Sequence, residues 1–229
     1  MRLSFEQLLY EDKIMSKFNE DMLLLYAVTD RAWTGKQTLL EQIESALKGG
    51  VTLVQLREKQ LDFDEFVAEA VKVRELCKKY NVPLIINDNI DVALKSGADG
   101  VHVGQEDMSV ADIRKLVGDD MIIGATAKTV EQAQTAEAEG ADYIGVGAVF
   151  PSPTKTNAIR ITVEKLKEIC SSVSIPAVAI GGISKSNMHE VTGGGMKGVA
   201  LVSAIFAAED IENECKLLKT IAAKAVGKI

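Results

Sequence analysis

The sequence lacks a basic excess: 26 Lys and Arg stand against 33 Asp and Glu in 229 residues, a formal charge of -7. A general nucleic-acid or anionic-membrane surface needs a basic stripe to neutralise phosphates, so neither partner is expected and any anionic ligand has to be met by a local cluster. Cysteine is scarce. Cys77, Cys170 and Cys215 are odd in number, far apart and set in helix-like segments such as RELCKKY and ENECKLL. This spacing offers neither a disulfide framework nor a zinc site and fits reduced thiols in a cytoplasmic protein. Long apolar runs are missing as well. No stretch approaches the roughly 18 residues of a membrane span. The opening MRLSFEQLLYEDKIMSKFNED, studded with acidic residues, has no apolar run of signal-peptide length. Its apolar positions Leu8, Leu9, Ile14, Met15 and Phe18 fit one face of a short helix covering an end of the fold.

What is present, from residue 23 on, is one theme repeated. Short apolar, β-branched runs occur at LLLYAVTD (23–30), VTLVQLR (51–57), PLIIND (83–88), GVHVG (100–104), MIIGAT (121–126), YIGVGAV (143–149), AVAIGG (177–182) and GVALVS (198–203). Between them lie segments of helical periodicity such as LLEQIESALKGG and FDEFVAEAVKVRELCKKY, the second with Asp62 placed as its N-cap. Each interval holds one crossover helix and no inserted domain. The pattern predicts an α/β protein: a single (β/α)8 TIM barrel over residues 23–229 with an N-terminal helical extension over 1–22. A doubly wound open sheet is the weaker alternative.

In such barrels chemistry sits at the C-terminal ends of the strands. Asp88 and Asp107 end the neighbouring third and fourth strands, a layout suited to Mg²⁺ with water and phosphate oxygens completing its shell. Helix capping is the other reading, because Asp88 precedes NIDVALKSG and Asp107 precedes MSVADIRKL. At the seventh and eighth strand ends, Gly181-Gly182 and Ser203 match the barrel phosphate site, where backbone N–H groups hold an anion without net charge. The stretch VTLVQLREKQ breaks its apolar run with Arg57, Glu58 and Lys59. Arg57, Lys59 and Lys155, facing the carboxylate pair, suit a second and more highly charged anion such as a Mg²⁺-chelating pyrophosphate.

QLREK, INDN, HVGQED, GAVFPSPTK, AIGGI and LVSAI, in this order, resemble the thiamine-phosphate synthase family over residues 23 to about 208. The resemblance implies an enzyme that condenses 4-amino-2-methyl-5-hydroxymethylpyrimidine diphosphate with a thiazole monophosphate, or its carboxylate form, to give thiamine monophosphate and pyrophosphate. It assigns Gln55, Arg57, Lys59, Asn87, Thr126 and Lys155 to the pyrimidine diphosphate, and Asp88 and Asp107 to Mg²⁺. Ser152, Pro153 and Thr154 fall beside the thiazole phosphate, with the backbone at Gly182, Val202 and Ser203. On the same resemblance, Arg57, Lys59 and Lys155 would be the catalytic cations. The sequence departs from the family at Thr126, often Ser, and at Lys128, where His is common. The implied partners are two phosphorylated heterocycles, and a homo-oligomer stays open. Two other activities also stay open: thiazole tautomerisation, and non-catalytic binding of a phosphorylated ligand. His102, alternating with Val101 and Val103, reads as a hydrogen-bonded core residue, and His189 as a surface one.

Overall fold

The computed structural model of the chain describes residues 18–35, 37–152 and 159–229. Most of the expected N-terminal helix therefore lies outside the described residues. The eight apolar runs form eight parallel strands: β1 Leu25–Val28, β2 Leu53–Leu56, β3 Leu84–Asn87, β4 Gly100–Val103, β5 Ile122–Ala127, β6 Tyr143–Val146, β7 Ala177–Ile180 and β8 Gly198–Leu201. They pair in sequence order, and β8 closes onto β1 with Tyr26 opposite Ala200. The chain is a closed barrel, and the open-sheet alternative falls.

Strand periodicity sorts the side chains into two cores. Tyr26, Val28, Leu53, Ile85, Tyr143 and Val178 point inward and fill the barrel. Leu25, Ala27, Val54 and Leu56 alternate with them and pack outward against the helices. Strands buried on both faces have to be apolar almost throughout, hence the uninterrupted runs in the sequence.

The outer layer consists of α1 Leu39–Lys48, α2 Phe63–Lys79, α3 Ile90–Ser96, α4 Val110–Val117, α5 Val130–Ala138, α6 Val163–Ser171, the single turn α7 Ser203–Phe206 and α8 Ile211–Ala225. Asp62 caps α2 as expected: it accepts from the Glu65 N–H at 2.9 Å while Glu65 reaches back to the Asp62 N–H. The crossover from β7 to β8 departs from the pattern. It carries only a 3₁₀ turn, Met188–Val191, with His189 exposed. The run Gly193-Gly194-Gly195 that follows has too low a helix propensity to extend it.

At the N-terminal end of the strands, Phe18 stacks on the Tyr143 ring with centroids 5.8 Å apart, and Met22 packs beside it. Cys77, Cys170 and Cys215 are free and buried, and burial pushes each thiol up to about 12, leaving them un-ionised. Among the described residues no helix is long and apolar enough to cross a membrane.

Candidate active site

At the end of β2 the chain alternates as a strand does, and the two faces explain the charges in QLREK. Arg57 turns toward the mouth. Its backbone N–H donates to Thr29 Oγ1 at 2.9 Å, and its guanidinium donates from Nη1 to Asp30 Oδ2 at 2.9 Å. Asp30 is itself fixed, because its other oxygen accepts from the Ala32 N–H at 2.9 Å. Glu58 points the opposite way and is buried. It accepts from Arg31 Nε at 2.8 Å, and Arg31 also grips Glu69 at 2.6 Å. Desolvation raises the Glu58 carboxyl above its usual range, with Arg31 pulling it back and neighbouring Glu69 adding to the rise. Glu58 is thus a structural anchor, while Arg57 and Lys59 are left for the mouth.

Lys59 Nζ reaches Asp88 Oδ2 at 2.6 Å. Asp88 occupies left-handed backbone, φ 65°, and donates its N–H to the His102 carbonyl at 2.8 Å. The helices that follow are capped by other residues: Asn89 accepts from the Val92 N–H at 3.0 Å for α3, and Ser109 from the Asp112 N–H at 3.1 Å for α4. Asp107 instead accepts from the Gly104 N–H at 2.7 Å. Its carboxyl is raised, first by burial and then by the charge and contact of Asp88, against the lowering effects of the Gly104 N–H and Lys59. Two neighbouring carboxylates, one of them holding a lysine, have the hard oxygen donors a magnesium ion takes. Among the described residues no group of three or more His, Cys, Asp or Glu is arranged to hold a metal. The pair therefore fits Mg²⁺ only with water and ligand oxygens completing the shell.

Beside this cluster a cavity of about 200 Å³ opens into the barrel. Of the residues singled out from sequence, Gln55, Arg57, Asn87, Thr126, Ser152, Gly182, Val202 and Ser203 line it. Lys59, Asp88 and Asp107 are not in its wall; Lys59 and Asp88 are joined next to it through the β2 and β3 ends. Pro153, Thr154 and Lys155 lie outside the described residues.

The β6 and β7 ends are laced together: the Phe150 N–H donates to the Gly181 carbonyl at 2.9 Å, and Asn187 Nδ2 to the Gly182 carbonyl at 2.9 Å. Gly182 adopts φ 64°, and a Cβ there would stand 2.3 Å from the Pro151 carbonyl oxygen. Glycine is thus required first by this close approach of backbone. At the end of β8, Val202 makes no side-chain capping bond to α7.

Sequence reasoning gave no role to several residues in or beside the cavity. Lys128, noted only as a departure from the family, lines the wall beside Thr126. Tyr26 and Tyr143 were not singled out from sequence, and they carry buried hydroxyls 2.8 Å apart. Asp30, the partner of Arg57, was signalled only by its place at a strand end. His102 is hydrogen-bonded and buried as read, and burial drives its pKa down to about 4; it also faces the cavity.

A closed (β/α)8 barrel whose strand ends gather an arginine, a lysine and paired aspartates in and beside a cavity has the layout of a TIM barrel enzyme. The family model for thiamine monophosphate synthase matches residues 25–205. The thiamine-phosphate synthase of Ruminiclostridium cellulolyticum is 50% identical over 202 residues, 88% of this chain and 96% of that protein. That of Methanobrevibacter smithii is 50% identical over 204 residues, covering 88% and 97%. A solved thiamine phosphate pyrophosphorylase from Pyrococcus furiosus superimposes with a TM-score of 0.82 at 38% identity, over 91% of this chain and 99% of that one. The chain belongs to the thiamine monophosphate synthase family.

Proposed function

We propose that the mouth of this barrel joins 4-amino-2-methyl-5-hydroxymethylpyrimidine diphosphate to 4-methyl-5-(2-phosphooxyethyl)thiazole, giving thiamine monophosphate and pyrophosphate. The observation that carries the reading is the charge layout at the β2 to β4 ends. A guanidinium steadied by Asp30 and an ammonium held on Asp88, with the Asp107 carboxyl close by, border space fit for a diphosphate. Arg57 offers its remaining N–H groups in a fork, Lys59 a point charge, and Lys155 joins them on the family pattern. Asp88 and Asp107 would hold Mg²⁺, whose chemistry is to neutralise diphosphate oxygens as negative charge grows on them. Gln55, Asn87 and Thr126 orient the pyrimidine. Ser152, Pro153 and Thr154, with the backbone at Gly182, Val202 and Ser203, seat the monophosphate of the thiazole or of its carboxylate form.

The displacement is dissociative. The carbon–oxygen bond to the diphosphate breaks with its electron pair leaving on oxygen, and the electron-rich aminopyrimidine carries the resulting methylene cation. The thiazole nitrogen lone pair then forms the new carbon–nitrogen bond. No general base is needed, and the protein's contribution is preorganised charge and alignment. The catalytic unit is residues 23–229, with 1–22 an extension whose end packs into the barrel floor through Phe18. Free, buried cysteines support a cytoplasmic setting. Incubating both heterocycles with and without Mg²⁺ tests the reading: equal amounts of thiamine monophosphate and pyrophosphate should form only when both substrates and the metal are present. Isomerisation of a thiazole carboxylate phosphate without pyrophosphate release would replace it with the tautomerase activity.

A further inference from the structure

Beneath the cavity, three buried side chains connect Gln55 on β2 to Thr126 on β5. Gln55 Nε2 donates to Tyr26 Oη at 2.6 Å, Tyr26 Oη meets Tyr143 Oη at 2.8 Å, Tyr143 Oη meets His102 Nδ1 at 3.1 Å, and His102 Nε2 meets Thr126 Oγ1 at 3.0 Å. All three are buried and meet only one another, a hydroxyl and an amide along these links, with no carboxylate or cation among the partners, so each holds one transferable proton. With the Gln55 amide nitrogen toward Tyr26, proton counting fixes every link. An amide nitrogen can only donate, so Tyr26 accepts from Gln55 and gives its own proton to Tyr143. Tyr143 gives its proton to His102 Nδ1. The imidazole proton sits on Nε2 and goes to Thr126, whose hydroxyl proton is left for the cavity. Space for the series is built into the neighbouring strands: a Cβ at Gly124 would lie 2.2 Å from Tyr143 Cζ and 2.5 Å from His102 Nδ1, and one at Gly145 would lie 3.1 Å from His102 Cε1.

We propose that Tyr26, Tyr143 and His102 are positioning residues that lock Gln55 and Thr126 into opposite polarity, acceptor on β2 and donor on β5, and thereby select a heterocycle bearing an amino donor over its oxo counterpart. The selection rests on the proposed binding of an aminopyrimidine diphosphate; the lock itself does not. With the amide nitrogen engaged by Tyr26, the Gln55 oxygen accepts from an exocyclic amino group, and the Thr126 hydroxyl donates to a ring nitrogen or a diphosphate oxygen. An oxo group would set two acceptors against each other. If the Gln55 amide were reversed, every link would reverse, moving the imidazole proton to Nδ1 and exchanging the polarity of both ends.

Two measurements test this separately. ¹⁵N spectra of the ligand-free wild-type protein should show His102 protonated on Nε2, and Tyr143→Phe, which keeps the ring stacked on Phe18, should let the Nδ1–H form appear. Calorimetry with Mg²⁺ and either the amino or the oxo pyrimidine diphosphate should show that Tyr143→Phe lowers the preference for the amino compound by roughly two- to tenfold, the net value of one hydrogen bond. Tyr26→Phe, which cuts the series at its first link, should do the same. An Nδ1–H imidazole in the wild-type protein overturns the lock. An unchanged preference in folded Tyr143→Phe and Tyr26→Phe overturns the selection. If the spectra agree and neither pyrimidine binds, the assigned ligand is wrong and the selection falls with it, while the lock stands.

Discussion

Acidification should weaken this fold through one residue in particular. His102 lies in the barrel interior between the Tyr143 and Thr126 hydroxyls, with Gly124 and Gly145 leaving no side chain against it and Asp88 the nearby charge. Burial drives its folded pKa to about 4, with Asp88 opposing the fall, whereas an unfolded histidine titrates near 6.5. Between those values the unfolded chain binds a proton that the folded chain refuses. Stability from this residue is therefore complete above about pH 6.5 and drains away as pH falls toward about 4. With 1.36 kcal/mol for each pKa unit, the loss between pH 7 and pH 5 is about 2 kcal/mol, and about 3 kcal/mol is the full effect. Urea unfolding of the wild-type protein and of His102→Gln at the two pH values isolates the term, because every other titrating group is shared. The variant should start less stable at pH 7, and the gap should narrow by about 2 kcal/mol at pH 5. A gap of the same size at both pH values would mean that the imidazole is not held neutral and would refute the reasoning.

Two further outcomes follow from the geometry of the mouth. Asp88→Ala and Asp107→Ala should each lower Mg²⁺-dependent turnover by on the order of 100-fold or more with circular dichroism unchanged, since each removes a carboxylate that would hold the metal against the leaving group. Near-normal turnover with unaltered Mg²⁺ dependence would dismiss that residue from the metal site. Gly182→Ala should cost about 1 to 2 kcal/mol of stability from left-handed backbone alone, and more from the Pro151 carbonyl 2.3 Å away. It should also raise the KM for the thiazole phosphate, because the displaced 150–152 segment carries Ser152; unchanged unfolding midpoints and KM would contradict this.

The barrel was legible because strands buried on both faces leave unbroken apolar runs, and the helices between them carry their own punctuation, as at Asp62 and Glu65. The β7 to β8 crossover was misjudged as helical because SKSNMHEV has helical residues, while the three glycines after it decide the outcome. Cationic and acidic site residues stood out where they interrupted apolar runs. Tyr26 and Tyr143 did not, because an aromatic ring at an inward strand position looks the same whether its hydroxyl is idle or part of a series; only the distances across the barrel show it. For Glu58, charge alone matched its neighbours in QLREK, and strand alternation is what separated it from them.

The division of the mouth into a diphosphate side and a monophosphate side is tested most directly by a crystal structure of the protein with Mg²⁺, pyrophosphate and thiamine monophosphate. Pyrophosphate oxygens should lie within hydrogen-bond distance of Arg57 and Lys59, with the metal on Asp88 and Asp107 and the monophosphate against Gly182, Val202 and Ser203. A monophosphate on Arg57 and Lys59, or a metal bound away from both aspartates, would contradict the account.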